Sequence, residues 1–441
     1  MSNVMEQGKK YNLYSWSAQK NLAPANIVDA KGIYFWDENG KKYYDMSSQL
    51  VNVNLGHKNQ AVIDAIKAQA DKLPFIAPSF SCDVRSQAAQ MVVEASGLEG
   101  AKVFFVNAGA ESNENAIKMA KMYTGKWKIF SMYRCYHGAT YGSANLTGEP
   151  RRYINEPGIP GFIKYNGPYP YRAPKHVELK NEDEAAEYYL QTLEEQILYE
   201  NPDAVAAIFM ETVVGSNGVL VPPKKWIQGV RALCDKYNIC MVCDEVMAGW
   251  YRTGSCFAFQ QFGIQPDLVT FAKGSTCGYV PLGGVIASKK IADFFDEHQM
   301  MCGLTYSAHP MGCAACVATL NEYKRLNIEA NVKKSGKHLG EKLEEMKKKH
   351  KCIGDVRYIG LFSIIEFVKN RETREALVPY GRDPEGKMKK IIGMLKEGGF
   401  YTYSHENMIH VSPPLIITEK ELDEAFEILD KVLDTVDTWV D

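Results

Sequence analysis

The stretch from Cys240 to Gly274 decides the fold; it opens CMVCDEV (240–246) and closes PDLVTFAKG (266–274). Each end is a short apolar run finishing on polar groups. Residues 239–243 are expected to form a buried strand with Asp244 and Glu245 at its C-terminal end. Residues 268–271 are expected to form a second one, with Lys273 just beyond. In an open α/β sheet, ligands bind outside the carboxyl ends of the strands, so an acid and an amine are aimed at one rim. Working outward, apolar runs at 103–106, 129–132, 205–210 and 284–287 are further candidate strands, with helical stretches between several of them. That alternation predicts an α/β fold: a mostly parallel central sheet with helices on both faces.

Length and charge narrow the class. At 441 residues the chain exceeds one ordinary core. The expected division is a segment 1–60 joining a small domain, a large ligand-binding domain 61–325, and a C-terminal α+β small domain 326–441. The N-terminal segment carries a hairpin pattern, with aromatic strands flanking the turn residues Asp37, Glu38, Asn39 and Gly40. Residues 147–180, rich in Pro, Gly and Tyr, read as a long ordered loop. Beyond residue 330 the chain turns basic and helical, then strand-like at DVRYIGLFSIIEF, then helical again near 388–397 and 419–440.

Lys and Arg total 51 against 53 Asp and Glu, a net charge of −2, which gives no electrostatic case for nucleic acid or a membrane surface. The eleven cysteines include the pairs Cys240/Cys243 and Cys313/Cys316, but no histidine cluster accompanies either, so reduced core thiols are expected and no metal. The first ten residues, MSNVMEQGKK, hold no apolar leader, and no apolar run reaches membrane-spanning length. The cytoplasm is the expected compartment.

The acid and the amine suit one kind of ligand: a basic ring nitrogen for the carboxylate and an electrophilic carbon for the lysine. Pyridoxal phosphate has both. FVNAGAESNENAIKMAKMY (105–123) could take its phosphate, because a strand ends at Val106, a small-residue turn follows, and a helix begins. Gly109 there lets the backbone approach closely. Tyr136, before His137 and Gly138, could stack on a flat ring. Each piece has a plainer reading by itself: a helix cap for Asp244, a surface lysine, an ordinary Gly turn, a packed Tyr-His pair. All four in this order argue against coincidence.

With those segments in view, the chain resembles the class III (ω-amino acid) aminotransferases among the fold-type I pyridoxal-phosphate enzymes, over nearly its whole length from Tyr34 to the last helix. DEVMAGWYRTG, PDLVTFAKG and GYVPLGG resemble the family's signature around its lysine, the most specific match. CYHGAT, GLTYSAHP and VSPPLIIT resemble further family segments. The resemblance implies that Lys273 bonds the cofactor aldehyde and then moves the proton, and that Asp244 pairs with the ring nitrogen. Val246 is expected on the ring face opposite Tyr136, and Gly109 and Ala110 at the phosphate. Thr305 is expected to reach the other subunit's phosphate in a homodimer, or in a pair of such dimers.

Trp16 and Glu211 match substrate-pocket positions. His410 falls where several members have a carboxylate-binding arginine, and Tyr403 lies near the place of a second group's mobile arginine. Arg151 or Arg152 is the candidate substitute. Ala110 stands where many members have Ser or Thr, and Thr212 replaces a usual proline. The implied reaction moves the amino group of an ω-amino acid or terminal amine, first taurine and next β-alanine, to 2-oxoglutarate or pyruvate. A dialkylglycine-type decarboxylase or an aminomutase would share the cofactor contacts. A nucleotide-binding α/β protein would need a glycine-rich loop that NAGAES does not supply, and a non-enzymatic scaffold would not need Lys273 at the rim.

Overall fold

The N-terminal stretch supplies three antiparallel strands, β1 (Ile27–Lys31), β2 (Tyr34–Asp37) and β3 (Lys42–Asp45). The structure, a computed structural model, describes residues 3–173, 179 and 181–440. The expected hairpin is β2–β3. Its turn is tied by Asp37, whose Oδ1 accepts the Asn39 and Lys41 amides at 3.0 Å each. The extra strand β1 sits on its outer edge.

Seven strands then build the central sheet: β4 (Lys102–Val106), β5 (Lys128–Met132), β6 (Phe162–Tyr165), β7 (Val205–Glu211), β8 (Cys240–Asp244), β9 (Leu268–Phe271) and β10 (Gly283–Ala287). Their order is β4-β10-β9-β8-β7-β5-β6. The run from β9 to β6 is parallel, and β10 alone lies antiparallel to both its neighbours. Every residue of β7, β8 and β9 is buried, which is why they read as unbroken apolar runs: helices cover both faces. Helix Lys224–Tyr237 is one cover. It buries Trp226, Ile227, Val230, Leu233 and Cys234 on one stripe and ends at Asn238 in the left-handed conformation (φ 50°).

The stretch 147–180 is less irregular than expected. It holds β6, paired parallel with β5 at the sheet edge, and 3₁₀ turns at Pro150–Asn155 and Pro170–Arg172; residues 174–178 and 180 lie outside the described residues. A four-residue strand, FIKY, set between Gly161 and Gly167 is too short for periodicity to reveal.

DVRYIGLFSIIEF proves to be parts of two strands, β11 (Ile353–Ile359) and β12 (Phe362–Asn370), reversed at Gly360 (φ 59°). A Cβ at Gly360 would stand 2.7 Å from the Thr253 carbonyl carbon, so this turn packs on backbone. The short strands β13 (Glu375–Ala376), β14 (Phe400–Tyr401), β15 (Ser404–His405) and β16 (Met408–His410) follow. β15, β16 and β13 extend the β11–β12 sheet, while β14 pairs parallel with β3 in the N-terminal sheet. The two ends of the chain therefore share one sheet. Arg252, fully buried, ties them to the central part. It donates to the carbonyls of Leu361 (2.9 Å) and Pro413 (2.6 Å), to Ser48 Oγ (3.0 Å) and to Asn54 Oδ1 (2.7 Å).

Among the described residues no helix is long and apolar enough to cross a membrane, and no group of three or more His, Cys, Asp or Glu is placed to hold a metal. The cysteines are free.

Candidate active site

The parallel register puts three polar side chains in a row at one rim. Glu211 of β7 lies opposite Asp244 of β8, and Asp244 lies opposite Thr270 of β9. Lys273 follows two residues past β9, with φ at 50°, a left-handed turn that reverses the chain at the strand end.

Asp244 is 3 % exposed, with both oxygens engaged and room for a further donor. Its Oδ2 accepts Asn113 Nδ2 at 2.8 Å and His137 Nδ1 at 2.7 Å, and its Oδ1 accepts the Val246 amide at 2.9 Å. Burial works against a charged His137, yet Cys135 and Asp244 together raise its imidazole well above the ordinary value. His137 thus sits as a hydrogen-bonding partner against the Asp244 carboxylate. Asn113 cannot rotate, because it also donates to the His137 carbonyl (2.7 Å) and accepts from Thr270 Oγ1 (2.9 Å). Glu245 turns the other way. Both its oxygens take backbone amides, of Ala258 and Phe259, at 2.9 Å each, so it braces the fold beneath the rim.

Helix Gly109–Thr124 begins directly beyond β4, with Ala108 extended before it, so its first amides are free of intrahelical partners. Glu111 curls back to the Asn107 amide (2.8 Å). Glycine at 109 is a packing requirement: a Cβ there would stand 2.9 Å from both Val246 methyls. A Cβ at Gly138 would likewise stand 2.6 Å from the Ala110 Cβ. Gly109, Ala110, His137 and Val246 thus converge on Asp244.

Burial lowers the Lys273 amine to about 8, with Glu211 and Asp244 opposing the shift. Burial also lifts Glu211 to about 7, with His137 opposing and Asp244 adding to it. Glu211 is a clasp for two backbone segments: Oε1 accepts the Tyr136 amide (2.7 Å) and Oε2 the Gly215 amide (2.8 Å).

Beside Tyr136 stands Arg151. Its guanidinium carbon lies 3.8 Å from the centre of the Tyr136 ring and 5.7 Å from that of Trp16. Its Nε donates to Glu149 (2.6 Å), while its Nη2 is buried with no hydrogen-bond partner among the described residues. Arg152 turns away from this group and pairs with Glu156. His410 is buried, stacked on Tyr403 (centroids 4.5 Å apart), with Nε2 3.3 Å from the Ser216 carbonyl. Burial lowers its imidazole to about 4, so it is neutral and offers no charge to an anion. Thr305 lies apart, exposed on a turn that Ser307 Oγ fastens to the Phe105 carbonyl (2.7 Å).

A family model described as aminotransferase class-III matches residues 15–433. The chain belongs to the class III aminotransferases.

Among its relatives, a taurine:2-oxoglutarate aminotransferase from Bifidobacterium kashiwanohense, solved with pyridoxal phosphate and glutamate, is 48% identical with a TM-score of 0.96, over 99% of this chain and 98% of that one. A taurine–pyruvate aminotransferase of Bilophila wadsworthia is 30% identical over 97% of this chain and 96% of its own length. An acetylornithine aminotransferase of Caldanaerobacter subterraneus subsp. tengcongensis is 32% identical over 97% and 98%. The protein is a pyridoxal-phosphate-dependent aminotransferase with the expected fold-type I architecture.

Its residues fit the cofactor. The rim offers an anchored carboxylate for a ring nitrogen, an amine of lowered basicity, a free helix start for a phosphate, and a tyrosine ring. In this class III aminotransferase the apolar runs did not disclose Asn113, Thr270, Glu149 or Arg252. Asn113 could have been found, since it is a polar residue four positions after Gly109 on the helix stripe of Ala116, Ile117 and Ala120. The roles of Glu149 and Arg252 depend on segments distant in sequence.

Proposed function

We propose that this aminotransferase moves the amino group of a short ω-amino acid bearing a distal acid, taurine first and β-alanine next, to 2-oxoglutarate or pyruvate. The observation that carries this is Arg151. Its flat cation lies 3.8 Å from the centre of the Tyr136 ring and 5.7 Å from that of Trp16, with a buried Nη2 that has no partner among the described residues. A planar fork of this kind suits a sulfonate or carboxylate. The neutral His410 and the half-buried Tyr403 supply no cation at the two positions where the family resemblance places an arginine in several members. The relatives named for taurine support the donor; the acetylornithine relative shows that the family's donors differ.

Pyridoxal phosphate, when bound, supplies an electrophilic carbon for the amine and a ring that draws electrons from the amino-bearing carbon. Asp244, kept in place by His137 and Asn113, would pair with the ring nitrogen. Lys273 would hold the aldehyde carbon, and its amine, lowered to about 8, would serve as the base that moves a proton. Tyr136 and Val246 would pack on the ring, and the amides of Gly109 and Ala110 would hold the phosphate. Thr305, exposed on its anchored turn, completes the partner's phosphate site in a homodimer.

The test is a panel of amines and 2-oxo acids, scored for amino transfer, with Arg151→Ala alongside. Removing a desolvated charge contact costs about 2–5 kcal/mol, so KM for taurine and for the 2-oxo acid should rise steeply, and that for an uncharged amine much less. Parental kinetics of the variant with every substrate would sink the reading, as would carbon dioxide release or isomerisation in place of transfer.

A further inference from the structure

Arg151 is held by three neighbours, and the third has no assigned part. The two rings give the guanidinium cation–π contacts, which do not by themselves set the direction of its Nη atoms. Glu149 sets it. Its side chain is wholly buried, and its Oε1 accepts Arg151 Nε at 2.6 Å. With Nε occupied, the edge built from the two Nη atoms is what remains for a ligand.

The other carboxylate oxygen, Oε2, is buried without a hydrogen-bond partner among the described residues. His405 Nε2 stands 3.6 Å from it and is already engaged with Asn217 Oδ1 at 3.0 Å. Burial lowers the His405 imidazole, with Arg151 and His410 acting in the same direction, to about 3, so it brings no positive charge. Burial also raises the Glu149 carboxyl, and Arg151 opposes that rise. Arg151 and Glu149 are therefore each other's counter-ion, and the pair is close to neutral.

We infer that Glu149 is a positioning residue for substrate choice: it turns the Nη edge of Arg151 toward the substrate's distal anion and tempers its charge. The inference rests on the reading that Arg151 binds that anion. A tempered charge suits this reaction. A turnover releases one anionic product and admits a second anionic substrate, and a guanidinium without that opposing charge would hold each more tightly.

The two functions of Glu149 separate in two variants. Glu149→Gln keeps an oxygen for Nε and drops the opposing charge. Glu149→Ala drops both. Holoenzyme of each, of Arg151→Ala and of the two double variants would be titrated calorimetrically with ethanesulfonate, an anion with no amine to react. The ratio of KM for taurine to KM for butylamine would be measured beside it.

Glu149→Ala should weaken ethanesulfonate about tenfold and raise the KM ratio to match, the scale of one misplaced charged hydrogen bond. Glu149→Gln should tighten ethanesulfonate about threefold, because a like-signed repulsion has gone. In the Arg151→Ala background neither change should matter. Shifts in the same direction from both variants, as a merely structural role would give, overturn the inference. So do effects that persist without Arg151. If Arg151→Ala itself leaves ethanesulfonate affinity unchanged, the underlying reading falls with it. Should Glu149→Ala fail to fold, the direction of the Glu149→Gln effect decides by itself.

Discussion

Asp244→Asn tests the proposed centre most directly, and the structure says what the amide would meet. Placed with its oxygen toward the Val246 amide, the new NH₂ group faces two donors, Asn113 Nδ2 and His137 Nδ1, at the present 2.8 and 2.7 Å. Asn113 cannot flip to relieve this without losing its bonds to the His137 carbonyl and Thr270. Placed the other way, the amide meets the Val246 N–H instead. Either way a buried histidine loses one of the two groups, Cys135 and Asp244, that raise it.

Breaking a buried ion pair costs about 3–5 kcal/mol. A neutral partner also no longer holds the ring-nitrogen proton. A loss of about 4 kcal/mol of transition-state stabilisation is roughly a thousandfold in rate. The assay is the half-reaction with amine donor alone, followed by stopped-flow at saturating donor, with cofactor retention and urea unfolding measured on the same preparation. The expected result is a folded, cofactor-retaining, destabilised variant about a thousandfold slower. A half-reaction rate within about threefold of the parent would refute the assignment of Asp244.

Three further outcomes are expected. Lys273 is depressed from 10.5 to about 8, so between those values the unfolded chain binds more protons than the folded one. Stability of the cofactor-free protein should therefore rise with pH across that window, by about 3 kcal/mol relative to Lys273→Met; urea midpoints that stay parallel from pH 7.5 to 10.5 would contradict it. Arg252→Ala strips four hydrogen bonds from a fully buried junction between the central sheet and both chain ends. It should destabilise by about 3–5 kcal/mol, and a loss below about 1 kcal/mol in denaturant unfolding would show the junction to be incidental. Thr305→Ala should weaken cofactor retention without moving the melting temperature of the cofactor-free protein; equal retention, or an active monomer that holds cofactor as tightly, would remove Thr305 from the partner's site.

The sequence by itself determined six of the seven strands of the central sheet, and the rim. Strands covered on both faces must be apolar throughout, so VAAIFME, CMVCD and LVTF announce themselves, and a polar residue closing such a run must lie at an end. Asp244, Lys273 and the small turn at Gly109 were legible for that reason. Tertiary structure alone decided their neighbours. The register that aligns Glu211, Asp244 and Thr270 follows from parallel pairing across dozens of intervening residues. It also decided between two adjacent arginines: Arg151 lies on Tyr136 and Arg152 on Glu156, because consecutive residues of a 3₁₀ turn point different ways. Nor could composition show that Glu245 would cap backbone while Asp244, beside it, faced the rim. Alternation along a strand separates such neighbours, but which face holds the chemistry depends on what the rest of the chain packs there.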